Sequence, residues 1–301
     1  MLKRIAIALV ILAAALGGTL WAVAAPDRLP ETAFEGLGEP DLANGELIFN
    51  AGNCASCHGA SETSDAADDA VVLTGGHAIE SDFGTFHVPN ISSGPAGIGD
   101  WSFEDFANAM LRGVAPDGSN YYPAFPYASY SMMDIADVND LWGYLRSLPA
   151  SDNEAPAHEV SFPFNVNRAI GIWKYLYMPD GAYVSIDPND TVLRRGQYLV
   201  EAVGHCGECH TPRDILGGLE TDQWLAGAPN PSGQGTIPNV TPAGSVADWT
   251  ADDLAYFFES GFTPDFDSVG GSMVAVQRGL ATLPASDREA IAAYLKVIPE
   301  H

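Results

Sequence analysis

The first thirty residues form the most hydrophobic segment of the chain. Lys3 and Arg4 precede an uncharged run over residues 5–26. A run of this length can cross a hydrocarbon core about 30 Å thick, with its basic end on the cytoplasmic side. The alternative is a cleaved export signal, because the small residues at 22–24 fit a cleavage site. On length we favour a retained membrane anchor at residues 1–30. In either interpretation the rest of the chain is exported from the cytoplasm.

Beyond the anchor, hydrophobic residues recur at helical spacing in short segments. Two of these segments combine a capping-box pattern with an apolar face, namely Ser102 and Asp105 with Phe103, Phe106, Ala107 and Met110, and Thr250 and Asp253 with Leu254, Phe257 and Phe258. A further apolar helix is expected before Pro149 and another before Pro299, the latter capped by Ser286 and Glu289. No segment shows a convincing series of alternating strands, so the pattern predicts an all-α fold.

The same series of motifs is written twice, about 150 residues apart. The matching pairs are CASCH and CGECH, PNI and PNV, DWSFEDF and DWTADDL, and LWGYLRSLP and IAAYLKVIP, with one extra residue before the second cysteine motif. We therefore predict two tandem, duplicated domains at residues 38–150 and 187–301. The linker over residues 151–186 is rich in aromatic residues, so we expect it to pack across both domains and to contain a short helix.

The composition is that of a folded but strongly acidic protein. Apolar residues make up 47% of the chain, and 39 acidic against 13 basic residues give a formal net charge of −26. Such a surface repels nucleic acid and anionic lipid and attracts a basic partner. An exported protein that relies on acidity for solubility would show the same charge, so the charge by itself does not identify a partner.

The four cysteines lie in two C-x-x-C-H motifs, made of Cys54, Cys57 and His58 and of Cys206, Cys209 and His210. A redox disulfide would need a thioredoxin-like surround, which the sequence lacks, and structural zinc would need a fourth ligand in each motif. Covalent haem uses every residue: two cysteines form thioethers with the haem vinyl groups, and the following histidine ligates the iron. The sequence thus predicts two covalently attached haem c groups, with a structural disulfide in each motif as the alternative.

The sixth iron ligand decides between electron transfer and catalysis, because a thioether closes the iron and raises its reduction potential. After Cys209 the only methionine is Met273, which we expect on a loop before the last helix, with His301 as the competing ligand. In the first half Met132 and Met133 are equally placed, whereas Met110 is spaced like a core residue. His77 and His87 are weaker alternatives there.

Several stretches resemble the multihaem cytochrome c subunit of bacterial membrane-bound alcohol, gluconate and aldehyde dehydrogenases. They are GELIFNAGNCASCHGA, GTFHVPNIS, the segment GIGDWSFEDF to YYPAFPYASY, and CGECHTPRD. The resemblance implies Met133 as the first-half ligand and a cytochrome on the periplasmic side of the inner membrane that receives electrons from a dehydrogenase. Family members usually carry three such motifs and this chain carries two, so a quinone-linked acceptor, an oxidase or a soluble cytochrome all remain open.

These observations favour an electron-transfer protein rather than an enzyme. Its expected partners are a dehydrogenase as donor, a respiratory acceptor, and the membrane through the first helix. The alternative is a dihaem peroxidase with one haem left open to peroxide, although each half has a methionine placed to close its iron. A haem-based sensor is a third hypothesis, but no output domain is visible.

Overall fold

The computed structural model describes residues 1–60, 71–230 and 235–301, and this part of the chain is mostly helical. Its α-helices are α1 (Leu2–Val23), α2 (Leu42–Ala51), α3 (Cys54–His58), α4 (Phe103–Arg112), α5 (Tyr127–Tyr130), α6 (Ile135–Ser147), α7 (Asn167–Tyr177), α8 (Thr191–Gln197), α9 (Gly207–His210), α10 (Ala251–Ser260), α11 (Met273–Ala281) and α12 (Ala285–Leu295). Short 3₁₀ turns lie at Glu31–Phe34 and Thr221–Gln223. The prediction of a helical protein is confirmed.

Short strands, which the sequence did not predict, complete the architecture. They are β1 (Ala78–Ser81), β2 (Gly84–His87), β3 (Glu159–Val160), β4 (Ala228–Pro229) and β5 (Thr236–Ile237). The first three form an antiparallel sheet in the order β1-β2-β3, and the last two form a separate pair. Strands of two to four residues are too short to show an alternating pattern, which is why periodicity missed them.

The two most extensive helix pairs in the described part of the chain, α2 with α6 and α8 with α12, pack in the same way. A Cβ atom on Gly45 would lie 2.2 Å from the carbonyl oxygen of Asp140 in α6, and one on Gly196 would lie 2.0 Å from that of Ala290 in α12. Only glycine allows the two backbones to approach so closely. The helices that precede the two motifs are therefore packed against the closing helix of their own half.

Both predicted capping boxes are present. The Ser102 hydroxyl accepts from the Asp105 N–H, and the Thr250 hydroxyl accepts from the Asp253 N–H, each at 3.1 Å. The predicted cap at Ser286 is wrong, because α12 begins at Ala285 after Pro284 and has no side-chain cap. Proline fixes the backbone at the start of a helix, which places Ser286 already inside the first turn.

The extra residue before the second cysteine motif is absorbed by a π-helical turn. After α8 the chain continues as a π-helix over Tyr198–Val203, and the Gly204 N–H donates to the Leu199 carbonyl five residues back. At the end of α2 the Gly52 N–H donates instead to Ile48, four residues back. One inserted residue in a helix produces such a π-bulge, so both motifs leave their helices in comparable positions.

The linker contacts both halves, as predicted, and its helix α7 forms hydrogen bonds with each of them. Lys174 donates to carbonyl groups at the end of α4, and Trp173 donates from Nε1 to the Leu216 carbonyl in the second half at 3.0 Å. The Tyr177 hydroxyl donates to Asp214 at 2.7 Å. Strand β3, also in the linker, pairs with β2. The linker is therefore a folded connection between the halves.

Helix α1 has the length and composition to cross a membrane. It has 22 residues, and none of them is buried. Its C-terminal end rests on α7: Arg168 donates to the Trp21 carbonyl at 2.6 Å and stacks over the Trp21 ring, while Ala24 is buried against Gly171. The C-terminal end of α1 is thus in direct contact with the folded part of the chain.

Candidate haem attachment sites

The first C-x-x-C-H motif is the short helix α3. Asn53 enters it in the left-handed conformation (φ 51°), which turns the chain sharply after α2. Cys54 is partly buried, and Cys57 is exposed. The ring nitrogen Nδ1 of His58 lies 2.8 Å from the carbonyl oxygen of Pro89. An N–H donated from Nδ1 leaves Nε2 with a free lone pair, as an axial ligand requires.

The second motif, which contains α9, repeats this arrangement. Nδ1 of His210 lies 2.8 Å from the carbonyl oxygen of Pro238. Pro89 and Pro238 belong to the repeated PNI and PNV motifs, whose role the sequence alone did not reveal. Gly207, between the two cysteines, lies under Trp224: a Cβ atom there would approach the indole ring to 2.2 Å. The side chain at this position is therefore limited to hydrogen.

Burial keeps the two histidines neutral. It lowers the pKa of His58 to about 4 and lowers that of His210 as well, partly offset in both cases by the bond to the proline carbonyl. A neutral imidazole is the form that ligates iron. Burial also raises the pKa values of Cys54 and Cys206 to about 12, with a smaller contribution from the second cysteine of each motif. Such thiols are not reactive thiolates, which disfavours redox catalysis through a disulfide.

An apolar cavity adjoins the first motif and contains the predicted methionine ligand. It is lined by Ile48, Gly52, Cys54, Met110, Tyr130, Met133, Leu141 and Val203. Met133 is 6% exposed and shares the cavity with Cys54, whereas Met132 is half-buried and does not line it. Met110, which the sequence indicated as a core residue, also lines this cavity.

Met273 has a different setting from Met133. It is the first residue of α11 and not part of a loop, which corrects the sequence-based expectation, and it is partly buried against the core. The Ser272 N-cap has no side-chain hydrogen bond, so backbone geometry alone starts this helix. Helix α11 starts directly after the loop that follows α10, and the residues just before Met273, 270–272, are exposed.

The other candidate ligands lie in different settings, and two of them form contacts elsewhere in the chain. His87 lies in β2, where its Nε2 atom is 3.4 Å from Glu159 and its backbone N–H donates to the His158 ring at 3.1 Å. The carbonyl of His301 accepts from the Asn239 side chain at 2.7 Å. His77 precedes β1 and is exposed.

The two motifs lie next to each other across the boundary between the halves. Nε2 of His205, just before the second motif, is 3.2 Å from the Gly52 carbonyl, just before the first. The Ser129 hydroxyl donates to Glu208, inside the second motif, at 3.1 Å. The Tyr130 ring packs edge-on against His205 with centroids 5.5 Å apart. Sequence reasoning missed His205 and Glu208 as contact residues because the partners are 75 or more residues away.

This donor set fits two covalently attached haem groups. Each motif offers two cysteines that form no disulfide in the structure and a neutral histidine whose Nδ1 position is fixed by a carbonyl. Within the described residues, histidine, cysteine and acidic side chains form no cluster of three or more that would hold a metal ion by themselves. The zinc alternative therefore lacks the converging ligands that it needs.

Comparison with known proteins agrees with this chemistry. The sequence model of the cytochrome c family matches residues 42–149. Over 296 residues the chain is 49% identical to a protein of Cereibacter sphaeroides described as "Diheme cytochrome c-type", and the match covers 97% of this chain and 96% of the relative. The chain belongs to the dihaem cytochrome c family. It therefore carries two covalently attached haem c groups, as the sequence predicted.

Longer proteins are also similar to this dihaem cytochrome. It is 34% identical to the fructose dehydrogenase cytochrome subunit of Gluconobacter japonicus, covering 86% of this chain and 53% of the relative. It is 32% identical to the gluconate 2-dehydrogenase cytochrome c subunit of Pantoea cypripedii, covering 95% and 64%. The chain thus spans between half and two thirds of these relatives. Their descriptions give no support to the peroxidase alternative.

Proposed function

We propose that this dihaem cytochrome is the electron-transfer subunit of a dehydrogenase and passes electrons from that enzyme to a respiratory acceptor. The single observation that carries the proposal is the contact between two equivalent attachment motifs, each with a neutral, carbonyl-anchored histidine. Haem iron, when bound, supplies reversible one-electron chemistry. The chain holds and orients the two groups side by side and does no bond chemistry itself. The relatives that are named as dehydrogenase cytochrome subunits support this assignment.

The assignment of individual residues is part of the proposal. Cys54 and Cys57 attach the first haem and Cys206 and Cys209 the second, with His58 and His210 as proximal ligands. Met133 and Met273 are the sixth ligands. The position of Met133 in the same cavity as Cys54 supports its choice over Met132. A thioether in the sixth position closes the iron to substrates, as an electron carrier requires.

The two halves form duplicated cytochrome c domains at residues 38–150 and 187–301, with 151–186 as a packed linker. The matched glycine contacts of α2 and α8, the two capping boxes and the two histidine–proline bonds support this division. Two domains that share a boundary at their attachment motifs keep the redox centres in one rigid unit. Electron transfer between the halves then needs no domain movement.

Helix α1 is a retained anchor that holds the cytochrome on the periplasmic side of the inner membrane. The contact of Arg168 and Gly171 with the end of α1 supports retention, because cleavage after residue 24 would leave this part of α7 uncovered. Amino-terminal sequencing of the protein isolated from membranes tests this point. A mature chain that starts at Ala25 would contradict the anchor.

An optical redox titration of the purified protein, with and without carbon monoxide, tests the central proposal. The expected result is two low-spin haems that do not bind carbon monoxide, because a bound thioether leaves no free position on the iron. One reduced haem that binds carbon monoxide would show an open iron. The electron-carrier function would then give way to a catalytic one.

A further inference from the structure

Each half contains a hairpin loop directly after its capped helix, and the backbones of the two loops match bond for bond. The first hairpin loop covers residues 113–121 after α4, and the second covers residues 261–269 after α10. In the first loop the backbone bonds run from Ala115 N–H to Ser119 O, from Gly118 N–H to Ala115 O and from Tyr121 N–H to Gly113 O. In the second loop the equivalent bonds run from Thr263 N–H to Asp267 O, from Phe266 N–H to Thr263 O and from Val269 N–H to Gly261 O. Both loops begin with a glycine in the left-handed conformation.

The base of the first hairpin loop is covered by α7 of the linker, whereas Pro116 and Asp117 near its tip are exposed. Lys174 donates to the carbonyls of Arg112 and Gly113 at 2.8 and 2.6 Å and to the side chain of Asn120 at 2.8 Å. Asn167 exchanges two further hydrogen bonds with the Asn120 backbone. Val114, at the base of the loop, is completely buried. One helix with one basic side chain thus completes this surface.

Within the described residues, nothing covers the second hairpin loop in this way. Phe262, which stands where the first loop has Val114, is 47% exposed, and residues 264–268 are all exposed. Gln277 donates to the carbonyls of Phe258 and Glu259 and so closes the end of α10 from the inner side. The outer face of the loop remains open to solvent.

The tip of the second loop carries an aromatic residue in a strained conformation. Phe266 adopts φ 63° and is 86% exposed, whereas the matching residue of the first loop is Gly118 with φ 81°. Bulky residues avoid this region, and strain of this kind concentrates at binding and catalytic sites. Within the described residues Phe266 contacts no other aromatic ring, and 86% of it is open to solvent.

The geometry points to a docking surface: we propose that a redox partner protein covers the second hairpin loop with a helix that presents a lysine or arginine beside an apolar face. Helix α7 on the first loop is the template for this occupant. Asp265 and Asp267 are exposed in the loop and complement a basic side chain. The loop leads within a few residues to Met273, so docking here brings the partner close to the second redox centre. This inference rests on the proposed electron-transfer function.

Binding and electron transfer to a lysine-rich redox protein, mitochondrial cytochrome c, test the proposal on the full-length holoprotein. The double variant Phe262→Val with Phe266→Gly gives the second loop the residues of the first at these two positions. We expect it to raise the Kd measured by calorimetry about tenfold, as for the loss of an aromatic hot spot. The reduction potentials and the rate of oxidation by ferricyanide, a small oxidant that needs no docking surface, are expected to stay unchanged.

Ile215→Ser is the matched control, because Ile215 is 92% exposed and lies outside the loop. An unchanged Kd in the double variant, or an equal rise in Ile215→Ser, overturns the docking surface. The single variant Phe266→Gly serves if the double variant fails to fold, since glycine is the residue that the first loop already uses. Failure of the proposed function looks different: one reduced haem of the wild-type protein would then bind carbon monoxide, whatever the Kd of the double variant.

Discussion

The first and second hairpin loops share their backbone hydrogen bonds, yet the base of the first loop is buried and the base of the second is exposed. In the first loop Val114 is completely buried and Lys174 of α7 binds three oxygens at the base, while the tip at Gly118 stays open. In the second loop two phenylalanines occupy the same positions in solvent. The difference shows that the loop keeps its backbone structure whether or not another segment, such as α7, packs against it. The halves diverge where they meet other parts of the molecule, while the histidine anchors remain alike.

The largest expected effect concerns the equivalence of the attachment motifs. Replacing Cys54 and Cys57 by serine should lower the haem content from about two to about one per chain, because each motif attaches one haem. The matched variant at Cys206 and Cys209 should give the same fall. Haem content is measured on the denatured protein by pyridine haemochrome absorption. A content that stays near two haems per chain in either variant would contradict the equivalence of the two attachment motifs.

The methionine variants test whether the two halves close their irons in the same way. Met133→Ala and Met273→Ala should each lower one reduction potential by on the order of 100 mV, well within the ~0.8 V range that axial ligands span. Each variant should also make one reduced haem bind carbon monoxide. Met132→Ala is the matched control. A potential shift in Met132→Ala, with none in Met133→Ala, would reassign the first-half ligand.

Lys174 tests the covering of the first loop. Lys174→Met should lower the free energy of unfolding by about 2 kcal/mol, because buried carbonyl groups lose their donor. Lys296→Met is the control in the second half, where Lys296 binds the carbonyls of Ala247 and Trp249. Urea unfolding at constant haem content measures both. An equal loss in the two variants would remove the special role of α7.

The same lysine predicts a pH dependence confined to the first half. Burial lowers the pKa of Lys174 from 10.5 to about 7, so between these values the folded chain binds fewer protons than the unfolded chain. The free energy of unfolding should therefore rise with pH from about 7 towards 10.5. Lys174→Met should flatten this rise. Stability that falls with pH over this range in the wild-type protein would contradict the assignment.

The smallest expected effect concerns backbone strain at the tip of the second loop. Phe266→Gly should change the free energy of unfolding by less than about 1 kcal/mol, because the relief of the left-handed strain is offset by the entropy of the new glycine. Gly118→Ala, at the matching position with φ 81°, should destabilise by about 1 kcal/mol. Thermal unfolding of both variants measures the difference. A large destabilisation by Phe266→Gly would show that Phe266 supports the fold rather than a surface.

By itself the sequence determined the repeat, the capped helices and the chemistry of the attachment motifs. These features depend on short-range spacing, such as Ser102 with Asp105 or Cys54 with His58, and local spacing is visible in a sequence. It also indicated the apolar first helix. It failed at the start of α12, where Pro284 and not Ser286 is the N-cap residue, and at strands too short for periodicity.

Only the tertiary structure decided which residues meet. The proline carbonyls that fix His58 and His210 lie about 30 residues away in sequence, and His205 reaches Gly52 from the other half. The placement of Met133 beside Cys54 and the covering of one loop but not the other also depend on how helices from distant segments pack. Such contacts arise from long-range burial and hydrogen bonding, which leave no fixed spacing along the chain.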